Sequence, residues 1–250
     1  MTPVCVTAPG LAARHGFFTR LGGVSTGPYA SLNGSFSGGD RREAVAENRR
    51  RIAASLGATA LAGLTQVHGP TVAVVDAAWT EEAAPPADAL VTDRPGRALA
   101  IITADCAPVL LHDARAGVIG AAHAGWRGAV AGIVEATLQA MAGLGARADR
   151  ISAAIGPCIG QASYEVGPDL REAVLAGDGA AARFFADGRA GHWQFDLAAY
   201  VAARLAAAGV RQVSLLGLDT RADEARFFSH RRRTLAGGGP IGHQVSAVVL

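Results

Sequence analysis

Three short segments carry side chains able to bind a metal or attack a substrate: TQVHGP with His68, TADCAPVLL with Cys106 and AAHAGWRG with His123. Each lies at the end of a run that reads as a strand, and strand ends are where α/β proteins collect ligands. Two imidazoles and one thiolate suit zinc, and three protein ligands with an open fourth position mark a catalytic rather than a structural site. The same residues also have ordinary structural readings. Free cysteine is among the most buried residue types, Cys106 lies between two apolar runs, and a core histidine is commonly held by hydrogen bonds. With tens of residues between the segments, spacing leaves both readings open.

Neighbouring residues add to the pattern. An acid next to a buried thiol is costly unless it binds something, so Asp105 is a candidate catalytic group that orients a ligand or exchanges a proton. HAGWRG leads into an expected helix, and helix starts accept anions. Arg127 adds a cation there that can grip an oxyanion with two parallel bonds. Arg49 and Arg20 are further candidate phosphate clamps, each against the ordinary reading of a solvated arginine.

These groups need elements to position them. In DRREAVAENRRRIAASLG (40–57), Val45, Asn48, Ile52 and Leu56 fall at helical spacing, Asp40 and Glu43 resemble a capping box, and Gly57 closes the helix. A second helix is expected from Gly128 to Met141 and a third from Leu197 to Ala208. Apolar runs at 71–76, 98–103, 117–123, 151–155, 212–216 and 244–249 predict strands. Segment 16–40, dense in Gly, Ser and Asn, reads as connected turns. PPAD (85–88) and AGDGAA (176–181) are structurally weak but too short for linkers, and SHRRR (229–233) reads as a solvated basic loop. The expectation is one α/β domain over 1–250, layered α/β/α with a mixed sheet.

Composition narrows the chemistry. All 23 basic side chains among the 250 residues are arginine. Without lysine there is no Schiff base and no P-loop, and every side-chain cation is a binder rather than a base. A net charge of +2 gives no general attraction to nucleic acid or membrane. No apolar run reaches the ~18 residues of a membrane helix, and three cysteines make no even disulfide framework. The expectation is a cytoplasmic protein with small-molecule partners, no nucleic acid and no membrane, as a monomer or small homo-oligomer. Zinc deaminase and metalloprotease signatures are missing: His123 is followed by Ala-Gly, Cys158 has no second cysteine, and there is no H-E-x-x-H.

In order and spacing, HGFFTRLGGVSTGPYASLN, the ENRRR of the first helix, QVHG, TADCAPVLL, HAGWRG, IGPCIG followed by YEVG, and FFSHRR resemble the YfiH-like family. Its members are also called laccase-domain proteins, polyphenol oxidases or purine nucleoside phosphorylases. The resemblance implies that His68, Cys106 and His123 ligate a metal, zinc with copper as the alternative, in a single layered α/β fold. It further implies a purine nucleoside phosphorylase of broad specificity. Adenosine, inosine, guanosine and methylthioadenosine would be cleaved by phosphate, with adenosine deamination as a second reaction.

Two rivals accompany it. Copper-dependent phenol oxidation fits the older family name, but a blue-copper centre usually has an axial Met, and only Met1 and Met141 exist. An oxygen-reducing copper cluster also needs many more imidazoles than remain. A cysteine-dependent amidase editing cell-wall precursors would use Cys106 as nucleophile and His68 or His123 as base. Two places depart from the family pattern: Asp219-Thr220 stands where members have Cys-Thr, and Gly242-His243 where they have Gly-Arg.

Overall fold

The structure, a computed structural model, describes residues 2–77 and 79–250. In chain order its elements are β1 (Cys5–Val6), β2 (Arg14–Phe18), α1 (Arg42–Ser55), β3 (Leu61–Ala62), β4 (Val72–Val74), β5 (Ala89–Thr92), β6 (Ala98–Thr103), β7 (Ala107–Asp113) and β8 (Val118–Ala124). Then come α2 (Trp126–Ala131), α3 (Ile133–Gly143), β9 (Ser152–Ile155), β10 (Glu165–Val166), α4 (Pro168–Gly177), β11 (Phe185–Asp187) and β12 (Trp193–Phe195). The chain ends with α5 (Leu197–Ala207), β13 (Gln212–Leu215), α6 (His230–Leu235) and β14 (Gln244–Val249).

Side chains two apart on a strand share a face, and this alternation builds two mixed sheets that pack together. One has the order β1-β2-β14-β6-β3, the other β13-β9-β7-β8-β5-β4. Phe17, Leu99, Ile101 and Val248 of the first meet Leu90, Leu110, Ile119 and Ala121 of the second. The alternate residues turn outward to helices. Ala98, Ala100, Val245 and Ala247 pack against Ile52 and Ala53 of α1 and Leu56 just after it. Val91, Val109, Val118 and Ala122 pack against residues of α3 and α5 such as Leu138 and Val201. Each fully buried Leu, Ile or Phe contributes about 1.5–3 kcal/mol, so the strands form a firm platform whose ends can hold side chains in place. The mixed α/β layering expected from the sequence is present, its strands shared between two facing sheets. A small third sheet, β10-β12-β11, joins the core between the second sheet and the helices α3 and α5 through Val166 and Phe195. Among the described residues no helix is long and apolar enough to cross a membrane.

Four local expectations need correction. Asp40 does not cap α1: its Oδ2 accepts from Ser25 Oγ (2.6 Å) and Asn33 Nδ2 (3.0 Å), and Arg41 occupies the cap position. The single helix expected over 128–141 is two, because Gly132 takes a left-handed φ of +96° between α2 and α3. Segment 16–40 starts inside buried strand β2 rather than in a turn. SHRRR is not a loop but the start of α6, capped by Ser229, whose Oγ accepts from the Arg232 N–H.

Candidate metal centre

Ile119 and Ala121 of β8 face the gap between the sheets, and His123 continues the same face to its open end. Across from it, β5 is registered Ala89 to Ala122, which sets Asp88 directly opposite His123. His123 is 3% exposed and Asp88 fully buried. The ring nitrogen Nδ1 of His123 lies 2.8 Å from Asp88 Oδ1 and, with a carboxylate as its partner, is the protonated nitrogen. The His123 backbone N–H donates to the Asp88 carbonyl at 2.7 Å.

The same carboxylate holds the loop that carries the other imidazole. It accepts from the backbone N–H groups of Val67 (3.2 Å), His68 (2.9 Å) and Gly69 (2.8 Å). These bonds explain how His68 keeps a left-handed φ of +62°, a conformation a non-glycine residue holds only when its surroundings enforce it. Between β6 and β7 a second left-handed residue, Asp105 at φ +94°, turns the chain so that Cys106 meets the two imidazoles. The Asp105 carboxylate accepts from Thr220 Oγ1 (2.6 Å), Ser229 Oγ (3.0 Å) and the Arg231 N–H (2.6 Å).

The donor atoms of His68, Cys106 and His123 all lie within 4.8 Å of one another, the only such group of three or more among the described residues. The two rings meet edge to face, with centroids 4.9 Å apart. Burial pushes the Cys106 thiol up, but the positive charge and hydrogen bond of His123, with a further bond from His68, outweigh it and bring the thiol to about 6. His123 is correspondingly raised to about 9: burial opposes its charge, while the Cys106 thiolate and Asp88 favour it. Two nitrogens and a readily ionised sulfur fit a borderline-soft divalent ion such as zinc. A β-carbon on Gly125 would stand 3.0 Å from Cys106 Sγ and 3.3 Å from His68 Cδ2, so the first glycine of HAGWRG leaves room for the centre.

A family model described as multi-copper polyphenol oxidoreductase laccase matches residues 14–250. The chain belongs to this laccase-domain family. It is 48% identical over 234 residues to a purine nucleoside phosphorylase of Deinococcus radiodurans, covering 90% of this chain and 86% of that protein. The crystal structure of Neisseria meningitidis protein NMB0706 superposes with a TM-score of 0.88 at 34% identity, covering 100% of this chain and 99% of the other. The Bacillus licheniformis protein YfiH does so with 0.84 at 29%, covering 94% and 92%.

In this laccase-domain chain the centre opens into a cavity of about 820 Å³ that Arg49, Arg127, Asp105 and Arg231 also line. Arg127 is exposed, its guanidinium 4.4 Å from the centroid of the Trp126 ring. Arg49 is mostly buried: it donates to the carbonyls of Gly34 (3.2 Å) and Leu61 (3.4 Å) and pairs with Glu81 at 3.6 Å. Arg20, the third candidate phosphate clamp, is not among the residues lining the cavity. It donates to the carbonyls of Ala30 (2.8 Å) and Glu224 (3.2 Å) and lies over Phe228, where it ties loops together. Asp88 orients His123, while the turn at Asp105 aims Cys106.

Asp88 sits in the PPAD stretch that reads as weak structure; the one local signal is an acid immediately ahead of the buried run ALVT. Arg231, His230 and His243 also line the cavity; the sequence offers the first two only within the basic run SHRRR and the third only as a departure from the family pattern. Arg231 Nη1 donates to the Glu165 carbonyl at 2.8 Å, and its guanidinium lies 5.4 Å from the Tyr164 ring centroid. Asp219 stands outside the cavity lining, accepting from Ser163 Oγ at 2.6 Å, while its neighbour Thr220 holds Asp105. Met141 is buried against the α3 face of the sheet at Gly120, away from the cavity lining, and Met1 lies outside the described residues.

The lowered thiol gives a direct prediction. In metal-free protein Cys106 is expected to react with iodoacetamide along a profile centred near its value of about 6. Cys5 and Cys158, both raised by burial, need more alkaline solution. Added zinc protects Cys106 alone. Peptide mass mapping over a pH series checks this, and one common profile for the three thiols would contradict it.

Proposed function

We propose that this chain is a zinc-dependent purine nucleoside phosphorylase of broad specificity, acting on adenosine, inosine, guanosine and methylthioadenosine, with adenosine deamination as a side reaction. The convergence of His68, Cys106 and His123 at a cavity with arginines on its wall carries this reading. The cavity volume lies in the range of small-molecule sites, and the Deinococcus radiodurans relative bears the name of that activity. Zinc is favoured over copper oxidase chemistry because no methionine lines the cavity and no second metal cluster occurs among the described residues. Copper would still compete for the N/S donors in vitro. A reducing cytoplasm, which keeps Cys106 a free thiol or thiolate, is the compartment this chemistry requires.

Phosphorolysis needs a place for phosphate, tolerance of positive charge on ribose, and help for the departing purine. Arg127 stands at the cavity with its donors free of carboxylates and takes the phosphate. Arg49 and Arg231 are already anchored to backbone carbonyls and act as fixed positive charges. Trp126 and Tyr164 offer aromatic faces to a purine and exclude water. Asp88 keeps the proton of His123 on Nδ1, so Nε2 remains as the donor atom. The Cys106 thiolate lowers the net positive charge where the ribose becomes cationic. Bound zinc supplies a Lewis acid that polarises oxygen and brings the pKa of water toward ~7.

The test is metal content by mass spectrometry, on protein purified without added copper, together with an inosine plus phosphate assay. One zinc per chain and phosphate-dependent hypoxanthine release support the reading; metal-free protein with full activity overturns it. Arg127→Ala is expected to raise the phosphate KM about tenfold and to leave the nucleoside KM nearly unchanged. Equal effects on both would contradict the assignment.

One observation favours a second reading. Cys106, His123 and Asp88 also form a nucleophile, base and orienting acid, the arrangement of a cysteine-dependent amidase acting on cell-wall precursors. Chelated protein that cleaves such an amide, and stops when zinc is returned, would select that reading.

A further inference from the structure

Strand β3 runs parallel to β6, with Leu61 opposite Ala98 and Ala62 opposite Leu99. Carried on unchanged, that register would set the backbone of Thr65 beside Ile102. The chain instead turns away: the Thr65 N–H donates to the Pro85 carbonyl at 3.1 Å, and the Thr65 carbonyl accepts from the Ala87 N–H at 3.2 Å. Ile102 pairs with Val245 of β14 on its other side, so on this side its backbone is left without a strand partner. The Gln66 side chain takes that place. Its Oε1 accepts from the Ile102 N–H at 2.8 Å, and its Nε2 donates to the Ile102 carbonyl at 2.9 Å. A carboxamide carries a donor and an acceptor on one planar group, as a peptide does, so Gln66 extends the ladder by one step with its side chain.

The place of these two bonds gives them a role in the site. Gln66 lines the cavity and precedes His68 by two residues. Ile102 stands near the end of β6, from which the chain passes through the left-handed turn at Asp105 to Cys106. The other anchors of the His68 loop come from residues 79–88, which lead into β5 of the second sheet. Trp79 Nε1 donates to the Gly63 carbonyl at 2.9 Å, Pro85 and Ala87 hold Thr65, and Asp88 holds the N–H groups of Val67, His68 and Gly69. A loop tied to one sheet can still pivot on it, whereas a loop tied to two facing sheets cannot. His68 is the ligand that most needs this restraint, because it is exposed while His123 is buried in β8 and Cys106 leads directly into β7. We propose that Gln66 is a positioning residue for the metal centre: its amide clamps the His68 loop to β6 and so sets His68 against Cys106. This rests on the metal centre of the reading above, whatever substrate the cavity takes.

Two measurements on the full chain test the role: zinc affinity by competition with a chelating dye, and the visible spectrum of cobalt(II)-loaded protein. Gln66→Met keeps the side-chain length and removes both bonds, and is expected to weaken zinc binding by about 10–100-fold, the usual effect of losing a group that orients a ligand. Gln66→Asn keeps the carboxamide but falls one methylene short of Ile102; it should weaken zinc to a similar degree and serves if Gln66→Met does not fold. With cobalt, both variants should keep the thiolate charge-transfer band while the ligand-field bands lose intensity, because His68 is displaced and Cys106 is not. Trp79→Phe cuts a different anchor of the same loop, and should lower the melting temperature while leaving zinc affinity and cobalt bands as in wild type. A Gln66 variant that melts earlier yet matches wild type in zinc affinity and cobalt spectrum overturns the proposal and leaves the metal centre standing. So does a Trp79→Phe protein that loses as much zinc affinity as Gln66→Met. Wild-type protein that binds neither zinc nor cobalt overturns the metal centre and the positioning role together.

Discussion

Asp88→Ala is expected to remove zinc from the protein and to destabilise it by about 3–5 kcal/mol, the usual cost of deleting one member of a buried hydrogen-bonded ion pair. The size follows from the number of groups that lose their acceptor. His123 Nδ1 and the N–H groups of Val67, His68 and Gly69 all converge on this carboxylate. Without it, His68 has nothing to hold its left-handed backbone, and His123 is free to present the wrong nitrogen. Asp88→Asn should be milder in stability, since one oxygen still accepts, but its amide N–H groups meet donors. Loss of an orienting partner of this kind costs 10–100-fold in metal affinity.

A pH signature accompanies the substitution. Burial raises the Asp88 carboxyl, but the His123 hydrogen bond and the backbone donors outweigh it and hold the group below its ordinary value of 3.8. A depressed folded-state value stabilises the protein above the ordinary carboxylate range, and the contribution disappears as pH falls through the depressed value. Calorimetric unfolding of wild type should therefore show an acid-side loss of stability that is smaller in Asp88→Asn. Asp88→Ala protein that retained one zinc and the wild-type melting temperature would refute the account.

The ligands were accessible to sequence reasoning because metal chemistry restricts residue type, and His68, Cys106 and His123 each follow or precede a run with strand character. Strands at 98–103 and 244–249 are legible to the residue, since Arg97 and Thr103 bound the first apolar run and Gln244 opens the second. Their division between two sheets is not legible. Strands covered on both faces read as continuous apolar runs, and nothing local says which run pairs with which. Asp88 illustrates the same limit in the site. Its meeting with His123 depends on the antiparallel register of β5 and β8, formed between segments 35 residues apart in sequence. Arg20 and Arg231 show it for charge: with 23 arginines, only packing decides that one binds loop carbonyls and the other lines the cavity. The helix break at Gly132 is hidden too, because an isolated glycine in a helical pattern is usually tolerated.

Asp105→Ala is expected to be less stable than Asp105→Gly, although glycine normally weakens a fold. Two separate contributions act at this position. The carboxylate satisfies the buried hydroxyls of Thr220 and Ser229 and the Arg231 N–H near the start of α6, and losing it leaves donors unpaired at about 1–3 kcal/mol each. Every substitution except a close analogue suffers that loss. The backbone contribution differs between variants, because φ at +94° strains any residue with a β-carbon. Alanine keeps that strain and loses the bonds that offset it. Glycine loses the same bonds but relieves the strain, worth about 1–2 kcal/mol, against a somewhat smaller entropic disadvantage. Asparagine retains one acceptor and tolerates the left-handed region best among the non-glycine types, so the expected order of melting temperatures is Asn, then Gly, then Ala. All three should reduce zinc occupancy, since Cys106 is the next residue and the turn at 105 aims it. An alanine variant as stable as the glycine one would mean that the left-handed turn carries no strain, and that the carboxylate alone sets the position of Cys106.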